Sequence, residues 1–165
     1  SDVYKRQALE RLYRGQNSFH GGCTTKIALF FCYLMKFVGK GKHLFPSIKQ
    51  EYQCRCIQVT EQNRKQVELL LQGKIIDTPG HTSDSISFLL NDGSLFCGDA
   101  AMNGLPSLHR ITIWIEDKTA FLKSWETIIA LRPNLIYPGH GKPFEYEDLK
   151  INLKRAKNIE LLPIQ

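Results

Sequence analysis

Two Pro-Gly-His turns with a Gly-Asp step between them constrain this chain more than any other feature. They are Thr78-Pro79-Gly80-His81-Thr82, Gly98-Asp99-Ala100 and Pro138-Gly139-His140-Gly141. Each follows an apolar run that reads as a strand. Pro79 fixes φ and Gly80 permits a tight backbone turn, so the His81 imidazole is held at a strand end. An acidic residue directly after a buried strand, such as Asp99, is usually paired, capping or liganding. Taken singly, each has an ordinary reading as a turn residue. Two such histidine turns flanking a Gly-Asp, in this order, favour a shared cation pocket, and zinc accepts both imidazole and carboxylate.

The surrounding pattern supports strand ends. Ser85 to Leu90 reads as a strand, Asn91-Asp92-Gly93 as a turn, and Ser94 to Cys97 as the next strand. Apolar residues at Phe121, Leu122, Trp125, Ile128, Ile129 and Leu131 predict a helix over 117–131 with Asp117 as its cap. Asn134 to Tyr137 is a short buried strand, and Tyr146 to Ile159 a second amphipathic helix. Upstream, a short helix and then a loop are expected in residues 8–24. Thr25 to Phe37 is a helix candidate capped by Thr24 or Thr25, broken by Gly39 to Pro46. Gln53 to Thr60 alternates like a strand. Gln66 to Asp77 fits helix or strand, with Gln72-Gly73 favouring a hairpin. The expected class is α/β, α+β layered, with helices covering a sheet.

Thr78 to Thr82, Gly98-Asp99 and Pro138 to Gly141 resemble the later motifs of the metallo-β-lactamase superfamily, its C-terminal part only. The resemblance is good over residues 74–144 and poor over 8–73. It implies an αββα sandwich, here N-terminally truncated, with two metals at the sheet edge, usually zinc, other divalent metals such as Fe or Mn being alternatives. By the resemblance His81 would bind the first metal, Asp99 would bridge both, and His140 would bind the second. Thr82, Ser83, Asp84 and Ser85 are candidates for orienting the imidazoles, Asp84 equally a simple turn acid. The family's His-x-His-x-Asp-His motif, which carries the other ligands and the water-orienting aspartate, does not occur in the 165 residues. The implied activity is metal-assisted hydrolysis of a small-molecule substrate. A bridging aspartate resembles the glyoxalase-II-like and general hydrolase branches, which disfavours lactams relative to thioesters, lactones, other esters or phosphoesters.

Composition narrows the alternatives. The length and 42% hydrophobic content suit one domain. The net charge of +6 is spread over lysines such as Lys36, Lys40, Lys150 and Lys154, without interleaved aromatics, so a solvated surface is favoured over a nucleic-acid partner. The five cysteines form no C-x-x-C pair, and a reduced, cytoplasmic setting fits best. Cys32 and Cys97 read as small core residues, and Cys97 is not taken as a ligand. Cys54 and Cys56 make only a weak candidate metal site. The Ile27 to Val38 run is shorter than the roughly 20 residues a membrane span needs. A buried or pocket-lining helix is favoured there over one lying on a membrane.

His20, His43 and His109 are assigned to loops. Residues 100–116, with Trp114, either cross the site mouth or pack over the sheet. Ser1 to Gln7 resembles a translated sequencing adaptor and is set apart from a partial domain over 8–165. With three ligands divided between two metal positions, these residues alone are expected to take up metal weakly or not at all and to be inactive. The rival reading is a non-catalytic module that docks a partner or membrane surface through the Ile27–Val38 helix.

Overall fold

The computed structural model describes residues 21–38 and 59–163. The helix and loop expected over 8–20, the break over 39–46 and all of the 53–60 strand candidate except its last two residues lie outside them. Val59 and Thr60 are not in a strand.

Strand β1 (Gly22–Cys23) leads into helix α1 (Lys26–Phe37). Thr25 is its N-cap, with the hydroxyl accepting from the Ala28 amide at 3.0 Å. The expectation that this helix is buried is overturned. Ala28 is its one buried residue, whereas Phe30 is 70% and Phe37 90% exposed.

The hairpin expected across 66–77 is also corrected. Helix α2 (Arg64–Leu71) precedes strand β2 (Gly73–Asp77). Gln72, not Gly73, takes the left-handed conformation, at φ 53°. Side chains one helical turn apart explain why the helix wins. The Arg64 guanidinium donates to the Ile75 carbonyl at 2.8 Å and pairs with Asp77 at 3.0 Å. Glu68 accepts from the Ile75 amide at 2.9 Å. The helix is thereby tied along the edge strand that follows it. Gly73 is needed for closeness instead, since a Cβ there would lie 2.5 Å from the Leu89 carbonyl oxygen.

Strands β3 (Ile86–Leu90) and β4 (Ser94–Gly98) form the expected hairpin. Its turn has Gly93 at φ 86° and Asp92 accepting from the Ser94 amide at 2.8 Å. Strand β5 (Trp114–Ile115) pairs antiparallel with β1, placing Cys23 opposite Trp114. Helix α3 (Lys118–Leu131) starts on Asp117, whose carboxylate accepts from the Thr119 and Ala120 amides. Strand β6 (Leu135–Pro138) and helix α4 (Tyr146–Lys157) complete the described chain.

The main sheet has the order β2-β3-β4-β6, antiparallel at the first two junctions and parallel at the last. It follows that β2, β4 and β6 all point the same way. Their C-terminal ends, which carry the three turns singled out in the sequence, therefore share one rim of the sheet.

The core lies between this sheet and the helices. Leu95, Cys97 and Ile136 meet Phe121, Trp125 and Ile128 of α3 and Leu149 and Ala156 of α4. Phe121 and Trp125 pack with ring centroids 5.3 Å apart, and the indole donates to the Ala100 carbonyl at 2.8 Å. Burial of each large side chain stabilises by about 1.5–3 kcal/mol. The strand alternation is plain in β4. Leu95 and Cys97 face the helices, while Phe96 faces outward and stacks on Tyr137 at 5.0 Å.

Candidate metal centre

The first turn is clamped before its histidine is reached. Thr78 is buried, with its hydroxyl on Ser87 at 2.8 Å. Ser124 of α3 donates to the Pro79 carbonyl at 2.7 Å. The Gly80 carbonyl accepts from the Glu116 and Asp117 amides at 2.8 and 3.0 Å. Gly80 has φ 136°, and a Cβ there would come within 2.3 Å of the Phe121 backbone. Only glycine lets the turn lie this close to the start of α3.

His81 is oriented by its neighbours. Its Nδ1 is 2.9 Å from the Trp114 carbonyl oxygen, with the Thr112 hydroxyl 3.5 Å away. A carbonyl can only accept, so Nδ1 carries the hydrogen and Nε2 presents its lone pair. That lone pair faces Asp99, with Nε2 and Oδ2 3.6 Å apart.

Asp99 is placed by the irregular end of β4. The β4–β6 register shifts between Phe96 and Gly98, and Gly98 turns the chain at φ 53°. The Gly139 amide donates to the Gly98 carbonyl at 2.7 Å, tying the second turn to the third. A Cβ on Gly139 would stand 2.7 Å from Asp99 Oδ1, so this glycine makes room for the carboxylate. Oδ1 is buried with no hydrogen-bond partner. Across the rim, His140 Nε2 is 3.7 Å from the same Oδ2.

The three residues expected to converge do so. One carboxylate oxygen sits between two imidazole nitrogens, too far from either for a good hydrogen bond. Ligands on one zinc, at bonds of about 2.0–2.2 Å, are separated by about 3.3–3.6 Å at the tetrahedral angle. The 3.6 Å pair falls within that span and the 3.7 Å pair just outside it, and the donor set of imidazole and carboxylate, with the second carboxylate oxygen buried and unpartnered, is of the chemistry a divalent cation takes. The set is nevertheless open. Among the described residues, no group of three or more His, Cys, Asp or Glu could hold an ion. The geometry is two His–Asp pairs sharing a vertex rather than one closed cage.

Other candidates fall elsewhere. Thr82 and Ser85 bond each other at 2.7 Å, and the Ser83 amide donates to Glu116 at 2.7 Å. The hydrogen bonds of the His81 ring go to residues 112–114, not to this group or to Asp84. No sequence signal marks a backbone carbonyl such as that of Trp114. Residues 100–116 both pack, through buried Ile111 and Thr112, and border the site. His109 contacts Arg155, while His20, His43, Cys54 and Cys56 lie outside the described residues. Cys97 is buried, and burial pushes its thiol up to about 12, which keeps it a neutral core side chain.

No family model matches the chain. It is 38% identical over 72 residues to the beta-lactamase-like protein 2 homolog of Drosophila melanogaster, covering 44% of this chain and 23% of that protein. It is 33% identical over 96 residues to the protein of the same name from Caenorhabditis elegans, covering 55% and 30% respectively. The chain thus spans less than a third of the length of these curated relatives. An archaeal metallo-beta-lactamase superfamily protein from Sulfolobus tokodaii superposes with a TM-score of 0.54 at 20% identity, covering 87% of this chain and 57% of that one. That likeness is one of fold, and it bears out the layered α+β class expected from the sequence.

Proposed function

We propose that the chain is part of a metallo-β-lactamase-fold protein and carries the later metal ligands of a hydrolase acting on a thioester, lactone, other ester or phosphoester. The observation that supports this is the single Asp99 oxygen shared between His81 and His140. His81 and His140 would each hold one divalent cation, zinc by donor chemistry, and Asp99 would bridge the two. Such cations, when bound, polarise the scissile carbonyl or phosphoryl oxygen and acidify water.

The chain's own residues supply placement. Trp114 holds the His81 ring in the tautomer that leaves Nε2 free. Gly139 lets the carboxylate stand against the β6 turn. With His81, Asp99 and His140 alone, each cation position has two of the four ligands zinc prefers. Weak uptake and no hydrolysis by these residues alone therefore follow. A reducing, cytoplasmic setting suits the free thiols of Cys23, Cys32 and Cys97.

Zinc titration followed by the histidine ring resonances tests the reading. The His81 and His140 rings should shift together at high zinc concentration, the Asp99→Asn variant should abolish both shifts, and His109 should serve as a bystander. Equal response of all three rings, or indifference to Asp99→Asn, would refute the shared pocket. Tight calorimetric uptake of two ions would instead refute the incompleteness.

A second reading rests on α1. Its exposed Phe30, Leu34 and Phe37 form a stripe suited to docking a partner or membrane surface. Among the described residues no helix is long and apolar enough to cross a membrane.

A further inference from the structure

His140 is the most exposed of the three converging side chains, at 66% against 23% for His81 and 28% for Asp99. It also lies between Gly139 and Gly141, where the chain has few side chains of its own to hold it. Something else must fix the loop. We infer that Arg110 is a positioning residue for His140, acting through Asn103.

Asn103 uses every polar group it has. Its amide donates to the His140 carbonyl at 2.9 Å, and its own carbonyl accepts from the Lys142 amide at 3.3 Å. Its Nδ2 donates to the Lys142 carbonyl at 2.8 Å. Its Oδ1 accepts from the Arg110 guanidinium. Three of the four bonds hold the chain from the His140 carbonyl to Lys142, and the fourth sets the amide's orientation. A guanidinium can only donate, so Oδ1 must face Arg110 and Nδ2 is thereby turned onto the loop.

Arg110 is itself anchored. It grips Asp148 of α4 through Nε at 2.9 Å and a terminal nitrogen at 2.8 Å, and it lies 5.3 Å above the Phe144 ring. The backbone bends to deliver it. His109 and Arg110 are consecutive non-glycine residues at φ 59° and 65°, whereas Gln72 and Arg132, which share that conformation, are helix C-caps. Left-handed backbone away from a cap is strained for a non-glycine residue and persists only where its surroundings enforce it. The fork-shaped guanidinium spans Asp148 and Asn103 at once, which a lysine ammonium could not do with the same geometry.

The metal part of this inference rests on the function proposed above; the loop-bracing part does not. The experiment compares the chain with Arg110→Ala, Asn103→Asp, which removes the Nδ2 donor, and Arg155→Ala as a neighbouring charge control. In metal-free protein, amide exchange at Asn103 and Lys142 should quicken about tenfold or more in Arg110→Ala and not in Arg155→Ala. In the zinc titration, the concentration that half-shifts the His140 ring should rise about 10–100-fold, the usual consequence of losing a residue behind a ligand. The His81 ring should move by less than twofold. Equal loss at both rings, or exchange unchanged at Lys142, would overturn the inference. If neither ring of the parent chain answers to zinc, the metal reading fails, and Lys142 exchange alone decides whether the brace exists. Should Arg110→Ala not fold, Asn103→Asp decides through the second link of the brace: quickened Lys142 exchange supports the inference, and unchanged exchange overturns it.

Discussion

Helices α1 and α3 are both apolar in sequence, yet they occupy opposite environments. Helix α3 buries Phe121, Ser124, Trp125 and Ile128 along one stripe. Helix α1 is apolar nearly all round, buries only Ala28 and exposes Ile27, Phe30, Leu34 and Phe37. An all-round apolar helix is ordinarily expected in a core. The difference shows that spacing matched to a sheet, rather than total hydrophobicity, selects the helix that packs. It also locates the site, because the first histidine turn is bonded to the start of the packed helix.

The strongest way to break the comparison is truncation inside the α3 stripe. Trp125→Ala should cost about 3–5 kcal/mol in denaturant unfolding, enough to unfold a marginal domain. A loss below 1 kcal/mol would mean that α3 is no better anchored than α1.

Thiol labelling sharpens the same contrast. Burial raises the Cys97 thiol from 9.0 to about 12. Its thiolate fraction at mildly alkaline pH is therefore roughly a thousandfold below that of a free thiol. Cys32 on α1 should alkylate in the folded chain while Cys97 does not. Folding favours the neutral Cys97 thiol, so its contribution to stability is complete below pH 9 and is lost as pH rises toward 12. Unfolding curves across that interval should show the decline.

Removing a cap tests each helix at its start. Asp117→Ala should cost about 1 kcal/mol of global stability, since two amides of the packed helix lose their acceptor. Thr25→Ala should register mainly as local fraying of α1 in amide exchange. The smallest effect belongs to the exposed face, where Phe30→Ser and Phe37→Ser should each change stability by less than about 0.5 kcal/mol. A larger loss would show that α1 is covered in solution.

Where one rule dominated, the sequence was easily read. The Asp117 cap, the Asn91-Asp92-Gly93 turn and the strand that follows it each has a local cause, and each stands as expected. So does the convergence of His81, Asp99 and His140, because strand ends and Pro-Gly turns are local features while strand direction brings them together. The hairpin favoured across 66–77 gives way because Arg64, which lies outside that window, and Glu68 bond to β2 from successive turns of a helix. The burial of α1 was misread because hydrophobicity does not say which neighbour exists. The bond from the Trp114 carbonyl to the His81 ring and the grip of Asn103 on the His140 loop were not legible, since they run partly through backbone atoms, which every residue type carries.

The amide of Gly139 bonded to the carbonyl of Gly98 has a last consequence. It stitches the aspartate turn to the exposed histidine turn at the very place where β4 and β6 end. Those two side chains therefore cannot drift apart unless the parallel ladder beneath them unzips. Heat or denaturant should abolish the pocket and melt the sheet in one cooperative event, so a spectroscopic reporter at Asp99 or His140 would double as a thermometer for the fold itself.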